Sequence, residues 1–160
     1  MAGKHLRVLI VEDSEEDAIL LLREIRHGGY VPEFARVETA AAMKEALEEK
    51  EWDLVISDYH LPEFSALGAL AVLKQSGHDL PFLLVSGVIG EEKAVKAMKA
   101  GISDYIPKEN FARLAPAIER ELREAVMRRE RRQALEDLRR AHDELELRVS
   151  ERTAELAHTN

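Results

Sequence analysis

The chain contains no cysteine. That excludes disulfides, thiolate catalysis and thiolate metal sites, and it fits a cytosolic, cytoplasmic protein. No apolar stretch approaches the roughly 20 residues that a membrane span needs, so no membrane insertion is expected. The first residues include basic side chains but no long apolar core and no small-residue cleavage site, so they do not read as a signal peptide. Lysine is absent from residues 111–160, which hold 11 Arg and 11 Asp+Glu. Residues 1–110 hold 12 Lys+Arg against 20 Asp+Glu, so the whole net charge of −8 falls there. An acidic surface argues against sequence-independent binding to nucleic acid, whose phosphates need a basic face. At 160 residues the chain has room for one domain with a full core and an appendage. The change in charge pattern places the compositional boundary near Asn110.

The first part alternates between two periodicities. Arg7–Val11 reads as a strand. Ser14-Glu15-Glu16-Asp17 resembles a capping box, with Asp in place of Glu or Gln at its third position. Ile19, Leu21, Leu22 and Ile25 then form a helical stripe that stops at Gly28-Gly29. Glu33–Val37 predicts a second strand, and Thr39 caps a helix carrying Met43, Ala46 and Leu47. Leu54–Ser57 is the third strand. Ser65 starts a helix with Leu67, Leu70, Val72 and Leu73, closed by Gly77. Phe82–Val85 is the fourth strand, Glu91–Ala100 a helix ended by Gly101, and Asp104–Ile106 the fifth strand. Five strands alternating with helices predict an α/β fold, a doubly wound five-stranded parallel sheet covered on both faces.

In such sheets ligands bind beyond the carboxyl ends of the strands. Glu12-Asp13, Asp58, Ser86-Gly87 and Lys108 all fall at carboxyl ends, of strands one, three, four and five. One edge would gather three carboxylates, a hydroxyl and an ammonium. Clustered carboxylates repel, and a hard divalent cation with oxygen ligands and retained waters, such as Mg²⁺, relieves the repulsion. Lys108 can balance charge on a phosphoryl group as a point cation. Taken one at a time, each residue has an ordinary reading: Asp58 as a turn former, Ser86 as a loop hydroxyl, Lys108 as a surface lysine, Tyr105 as half-buried core. The six histidines show no metal-ligand spacing.

Together the motifs carry a resemblance. Val-Glu-Asp-Ser at 11–14, Ser-Asp-Tyr-His-Leu-Pro at 57–62, Val-Ser-Gly at 85–87 and Gly-Ile-Ser-Asp-Tyr-Ile-Pro-Lys at 101–108 make residues 6–125 resemble a receiver domain of a two-component response regulator. The resemblance implies a flavodoxin-like sheet of strand order 2-1-3-4-5. It implies that Asp58 takes a phosphoryl group from the phosphohistidine of a histidine kinase or phosphotransfer protein. It implies that Asp13, Asp58 and the main-chain carbonyl of His60 bind Mg²⁺, with Glu12 acting directly or through water. Ser86 would hydrogen-bond a phosphoryl oxygen, Lys108 would bridge it, and Ser86 with Tyr105 would form the switch. Three positions depart from the family pattern: Glu109 stands where proline is most frequent, Ala66 where glycine is common, and Glu12 where Asp is more usual.

The tail is the second informative region. Asn110 can cap a helix starting near 111, with Pro116 tolerated in its first turns. Leu114, Ile118, Leu122 and Ala125 would pack it on the sheet, giving a receiver domain over 1–127. Over 128–160, Leu135, Leu138, His142, Leu145, Val149, Arg152 and Leu156 are spaced alternately three and four apart. That heptad seam predicts a parallel coiled coil and a homodimer, and the segment Leu147–Leu156 resembles connector helices that lead into sensor, kinase or cyclase modules in larger signalling proteins. The Arg-rich run Arg128–Arg132 lacks the seam and predicts a break or change of register. The alternative is a solvated helix held by i,i+4 charge pairs. No output module follows within these 160 residues.

Two rival classes share some of these features. A phosphohydrolase with an aspartyl-phosphate intermediate would carry a second acid two residues after the nucleophile, where this chain has His60, and a cap insertion. A degenerate interaction module would have lost Asp58, Ser86 or Lys108. Neither pattern is met, and the chain is expected to be a signalling module rather than an enzyme.

Overall fold

The structure is a computed structural model that describes residues 3–59, 61–62, 65–87 and 89–158. β1 (Lys4–Val11), β2 (Tyr30–Val37), β3 (Leu54–Ser57), β4 (Phe82–Ser86) and β5 (Asp104–Pro107) pair in parallel in the order 2-1-3-4-5. α1 (Glu15–His27), α2 (Ala40–Glu49), α3 (Ala66–Ser76) and α4 (Glu91–Ala100) alternate with them. This is the doubly wound sheet that the alternating sequence predicts.

Strand periodicity divides the core. Leu6, Val8 and Ile10 of β1 point to one face, where Ala18, Leu21, Leu22, Ile25, Leu114, Ala117 and Ile118 cover them. Leu9 and Val11 point to the other, against Met43, Leu47, Ala69, Leu70 and Leu73. β3 is buried at all four positions, as expected of a central parallel strand.

The helix starts follow local chemistry. Ser14, Thr39 and Ser65 each accept a backbone N–H three residues on, from Asp17, Ala42 and Gly68. Gly28 ends α1 where a Cβ would come within 2.5 Å of Ala115 Cβ, so only glycine lets the two helices meet there. Ala66, at the position where glycine is common, is the first residue of α3, and no residue other than glycine has a positive φ among those described.

Several boundaries differ from the sequence reading. β1 begins at Lys4 rather than Arg7, and β2 at Tyr30 rather than Glu33, because the two strands pair along their full length from Lys4↔Tyr30. Pro32 is accepted because β2 is an edge strand. Ile19 was expected in the buried stripe of α1 but is exposed, and Ala18 takes its place on the sheet side. Asn110 does not cap the last helix. A 3-10 turn over Lys108–Arg113 comes first, and α5 runs over Leu114–His158.

The chain divides into two units, Met1–Ala125 and Val126–Asn160. The first holds the sheet. In the second, the helix passes through Arg128–Arg132 uninterrupted. Leu135, Leu138, Leu145, Val149 and Leu156 are all exposed on it. Among the described residues no helix is long and apolar enough to cross a membrane.

Candidate functional site

Strand ends bring the predicted residues to one edge of the sheet. β1 leads into Glu12 and β3 into Asp58, β4 ends in Ser86, and β5 leads into Lys108. Asp58 leaves β3 with its N–H on Val11 O at 3.0 Å. Ser57 Oγ donates to Asp58 O at 2.8 Å, and Tyr59 N–H donates to Asp58 Oδ1 at 2.7 Å. These bonds fix the turn and leave Oδ2 facing Lys108 Nζ, 3.7 Å away.

Glu12 is buried, and its Oε1 accepts the N–H of Ser14 at 3.1 Å. Burial pushes its carboxyl up to about 8. The Ser14 hydrogen bond opposes that rise, the Asp58 charge and the Asp13 side chain add to it, and Lys108 opposes it. Arg36 clamps the same loop from β2, donating to Glu12 O at 3.2 Å and Asp13 O at 3.4 Å.

The carboxylates of Glu12, Asp17 and Asp58 each place an oxygen within 4.8 Å of the others. Of these, Glu12 and Asp58 are oxygen donors of the kind a hard divalent cation takes, while Asp17 is engaged by Lys108. Asp13 is exposed and is not among the three that converge. His60 lies outside the described residues. Ser86 is buried at the end of β4, in register with Pro107 of β5. Tyr105 is half-buried and donates its hydroxyl to Gly87 O at 2.7 Å. Burial raises its phenol, against a hydrogen bond from the Ile89 backbone.

Lys108 Nζ also lies 3.0 Å from Asp17 Oδ2. Burial alone would lower its ammonium pKa, but the Asp17 hydrogen bond and the charges of Asp58, Asp17 and Glu12 raise it. Sequence reasoning missed Asp17 and Arg36 as members of this site. Asp17 reads as part of the helix cap, and Arg36, although it lies next to the predicted end of the second strand, belongs to an edge strand that carries none of the site motifs. Beside the carboxylates, a cleft of about 140 Å³ is walled by Ile10, Leu20, Leu21, Ile56, Val85 and Phe111.

Residues 8–119 match the response regulator receiver domain family. The chain belongs to that family. Its receiver domain is 33% identical over 107 residues to the response regulator protein FleR of Pseudomonas aeruginosa, covering 67% of this chain and 22% of that protein. It is 31% identical over 126 residues to the transcriptional regulatory protein ZraR of Salmonella typhimurium, covering 76% of this chain and 27% of that protein. The chain thus spans about a quarter of the length of the curated relatives it matches. Among solved structures, the signal receiver domain of an HD domain-containing protein from Pseudomonas fluorescens superposes with a TM-score of 0.66 at 26% identity, covering 78% of this chain and 99% of that one. The receiver domain of a sensor histidine kinase from Pseudomonas aeruginosa, solved with magnesium coordinated in its active site cleft, shares the fold with a TM-score of 0.62 at 20% identity, covering 74% of this chain and 98% of that one.

Proposed function

We propose that Asp58 of this receiver domain accepts a phosphoryl group from the phosphohistidine of a histidine kinase or phosphotransfer protein. An Asp58 carboxylate oxygen attacks phosphorus, an acyl phosphate forms, and the phosphorus–nitrogen bond breaks as the donor imidazole leaves. The observation that carries this reading is the position of Asp58. It is a strand-end carboxylate with an ammonium at 3.7 Å and two further carboxylates converging on it.

Glu12, Asp13 and Asp58, with the main-chain carbonyl of His60, would hold Mg²⁺. The magnesium in the cleft of the Pseudomonas aeruginosa receiver domain supports that choice of metal. When bound, the ion neutralises the carboxylates and draws in the phosphoryl oxygens. Ser86 hydrogen-bonds one of those oxygens and Lys108 balances the charge. Tyr105 turns inward when Ser86 moves, giving up its bond to Gly87. Residues 1–127 form the receiver domain and 128–160 a connector that pairs with a second copy of the chain. The signal then passes to an output module. The protein labels once and decays slowly, rather than turning over a substrate.

Acetyl phosphate or beryllofluoride with Mg²⁺ should modify the protein once per chain, and Asp58→Asn should abolish the modification. Mass spectrometry showing unchanged labelling of Asp58→Asn would overturn the assignment.

A further inference from the structure

α1 opens with an incomplete cap. Ser14 Oγ accepts the N–H of Asp17 at 3.2 Å, as a capping box requires. In the complete box the third residue's carboxylate returns to the Ser14 N–H. Here that N–H donates to Glu12 Oε1 instead. Asp17 therefore turns its carboxylate to Lys108, 91 residues away in sequence.

The two carboxylates facing Lys108 are not equivalent. Asp17 Oδ2, at 3.0 Å, is within hydrogen-bond distance, while Asp58 Oδ2, at 3.7 Å, is within ion-pair reach only. The Lys108 and Asp17 side chains are 33% and 37% exposed, so the pair is only partly screened by water. A lysine ammonium on its flexible stem is a point charge that can change partners without rebuilding a fork geometry.

We propose that Asp17 is a positioning residue that holds Lys108 in a resting pose off Asp58, so that phosphorylation requires Lys108 to exchange Asp17 for the phosphoryl group. The inference rests on the reading of Asp58 as the phosphoryl acceptor. A phosphoryl group brings about −1.5 to −2 charges and three strong acceptor oxygens, against one carboxylate on Asp17. The exchange is therefore favourable, but less so than if Lys108 started unpaired. Asp17 sets how readily the domain takes up a phosphoryl group, and it loses its link to the β5 turn when the group arrives.

The test uses the full chain and titrates beryllofluoride in saturating Mg²⁺. Asp17→Asn keeps the size and the capped backbone N–H and removes the charge. Beryllofluoride affinity and the rate of labelling by acetyl phosphate should both rise, roughly two- to fivefold for a partly exposed ion pair. Asp17→Glu should stay near the starting protein. In a Lys108→Ala background Asp17→Asn should have no further effect, because the partner is gone. An equal gain in that background would mean only that a nearby negative charge had been removed, and would overturn the proposal. So would a collapse of Mg²⁺ affinity in Asp17→Asn, which would make Asp17 a metal ligand instead. If the starting protein itself takes up neither beryllofluoride nor a phosphoryl group, the acceptor reading fails and this inference falls with it.

Discussion

Trp52 and Asp58 stand at opposite ends of one strand, β3, whose residues Leu54–Ser57 lie between them. A strand advances about 3.3 Å per residue, which separates the two positions by up to roughly 20 Å. Trp52 is buried, with its Nε1 donating to Ala46 O at 2.9 Å and Lys50 Nζ 4.6 Å from its ring centre. Neither Ala46 nor Lys50 belongs to the carboxylate edge.

Trp52 emission should accordingly stay unchanged when Mg²⁺ is added to the folded protein. The same signal should report unfolding, since loss of the fold exposes the ring. A thermal melt followed at Trp52 should shift upward with Mg²⁺, because a ligand that binds only the native state stabilises it, by about 2.7 kcal/mol at a hundredfold excess over Kd. A melting temperature independent of Mg²⁺ would mean that the carboxylates do not bind the ion.

Glu12 and Asp13 should contribute unequally to that binding. The Glu12 carboxylate is buried and already accepts the Ser14 N–H, so its freedom to reorient is limited. Asp13 is exposed and can turn toward the site. Asp13→Asn should therefore weaken Mg²⁺ more than Glu12→Gln does, on the order of tenfold, the lower end of what a lost metal ligand or its support is worth. Calorimetric titration of both variants checks the order, and equal losses would contradict it.

Glu121 gives a pH-dependent prediction away from the site. It is buried on α5, and its carboxyl is raised chiefly by that burial, then by Glu124, with Arg120 opposing. A carboxyl whose folded pKa lies above its unfolded value favours the fold while protonated. That contribution is complete below the ordinary carboxylate range and is lost as pH rises through the folded value. Glu121→Gln should raise the melting temperature at neutral pH and have little effect near pH 4, about the unfolded pKa of a glutamate. A gain independent of pH would point to packing instead.

How much of this was legible in the sequence depends on how local each signal was. β3 and β4 are short apolar runs bounded by breakers, and the strand-end residues follow from them by the rule for open α/β sheets. The start of β2 was not legible, because Tyr30–Pro32 joins the sheet through its partner strand and not through its own pattern. Ile19 was misplaced because an α1 stripe containing a small Ala18 has two readings a residue apart, and only packing on the sheet chooses between them. Asp17 stayed hidden for a different reason. Its sequence context offers a complete local explanation, the capping box, and the partner that claims its carboxylate is distant in sequence.

The tail yields the last prediction. Leu135, Leu138, Leu145, Val149 and Leu156 keep heptad spacing along an unbroken helix and are all exposed on it. Burying such a side chain is worth about 1.5–3 kcal/mol, so five of them on one seam favour pairing with a second copy well beyond what surface charge pairs supply. The seam also holds His142, with Glu146 Oε1 3.8 Å from its Nε2, and Arg152. Polar side chains at seam positions lower the stability of the register that buries them. Competing registers are then close in energy and can be biased by a typical coupling of about 1–3 kcal/mol. The tail should thus dimerise the protein with or without phosphorylation, and activation should alter register or crossing angle instead of assembly. Light scattering should give a dimer in the presence and absence of beryllofluoride, and a chain truncated after Arg129 should be mainly monomeric. Spin-label distances between paired sites near Leu145 should shift on activation. A monomer–dimer switch, or distances that do not move, would count against this mechanism.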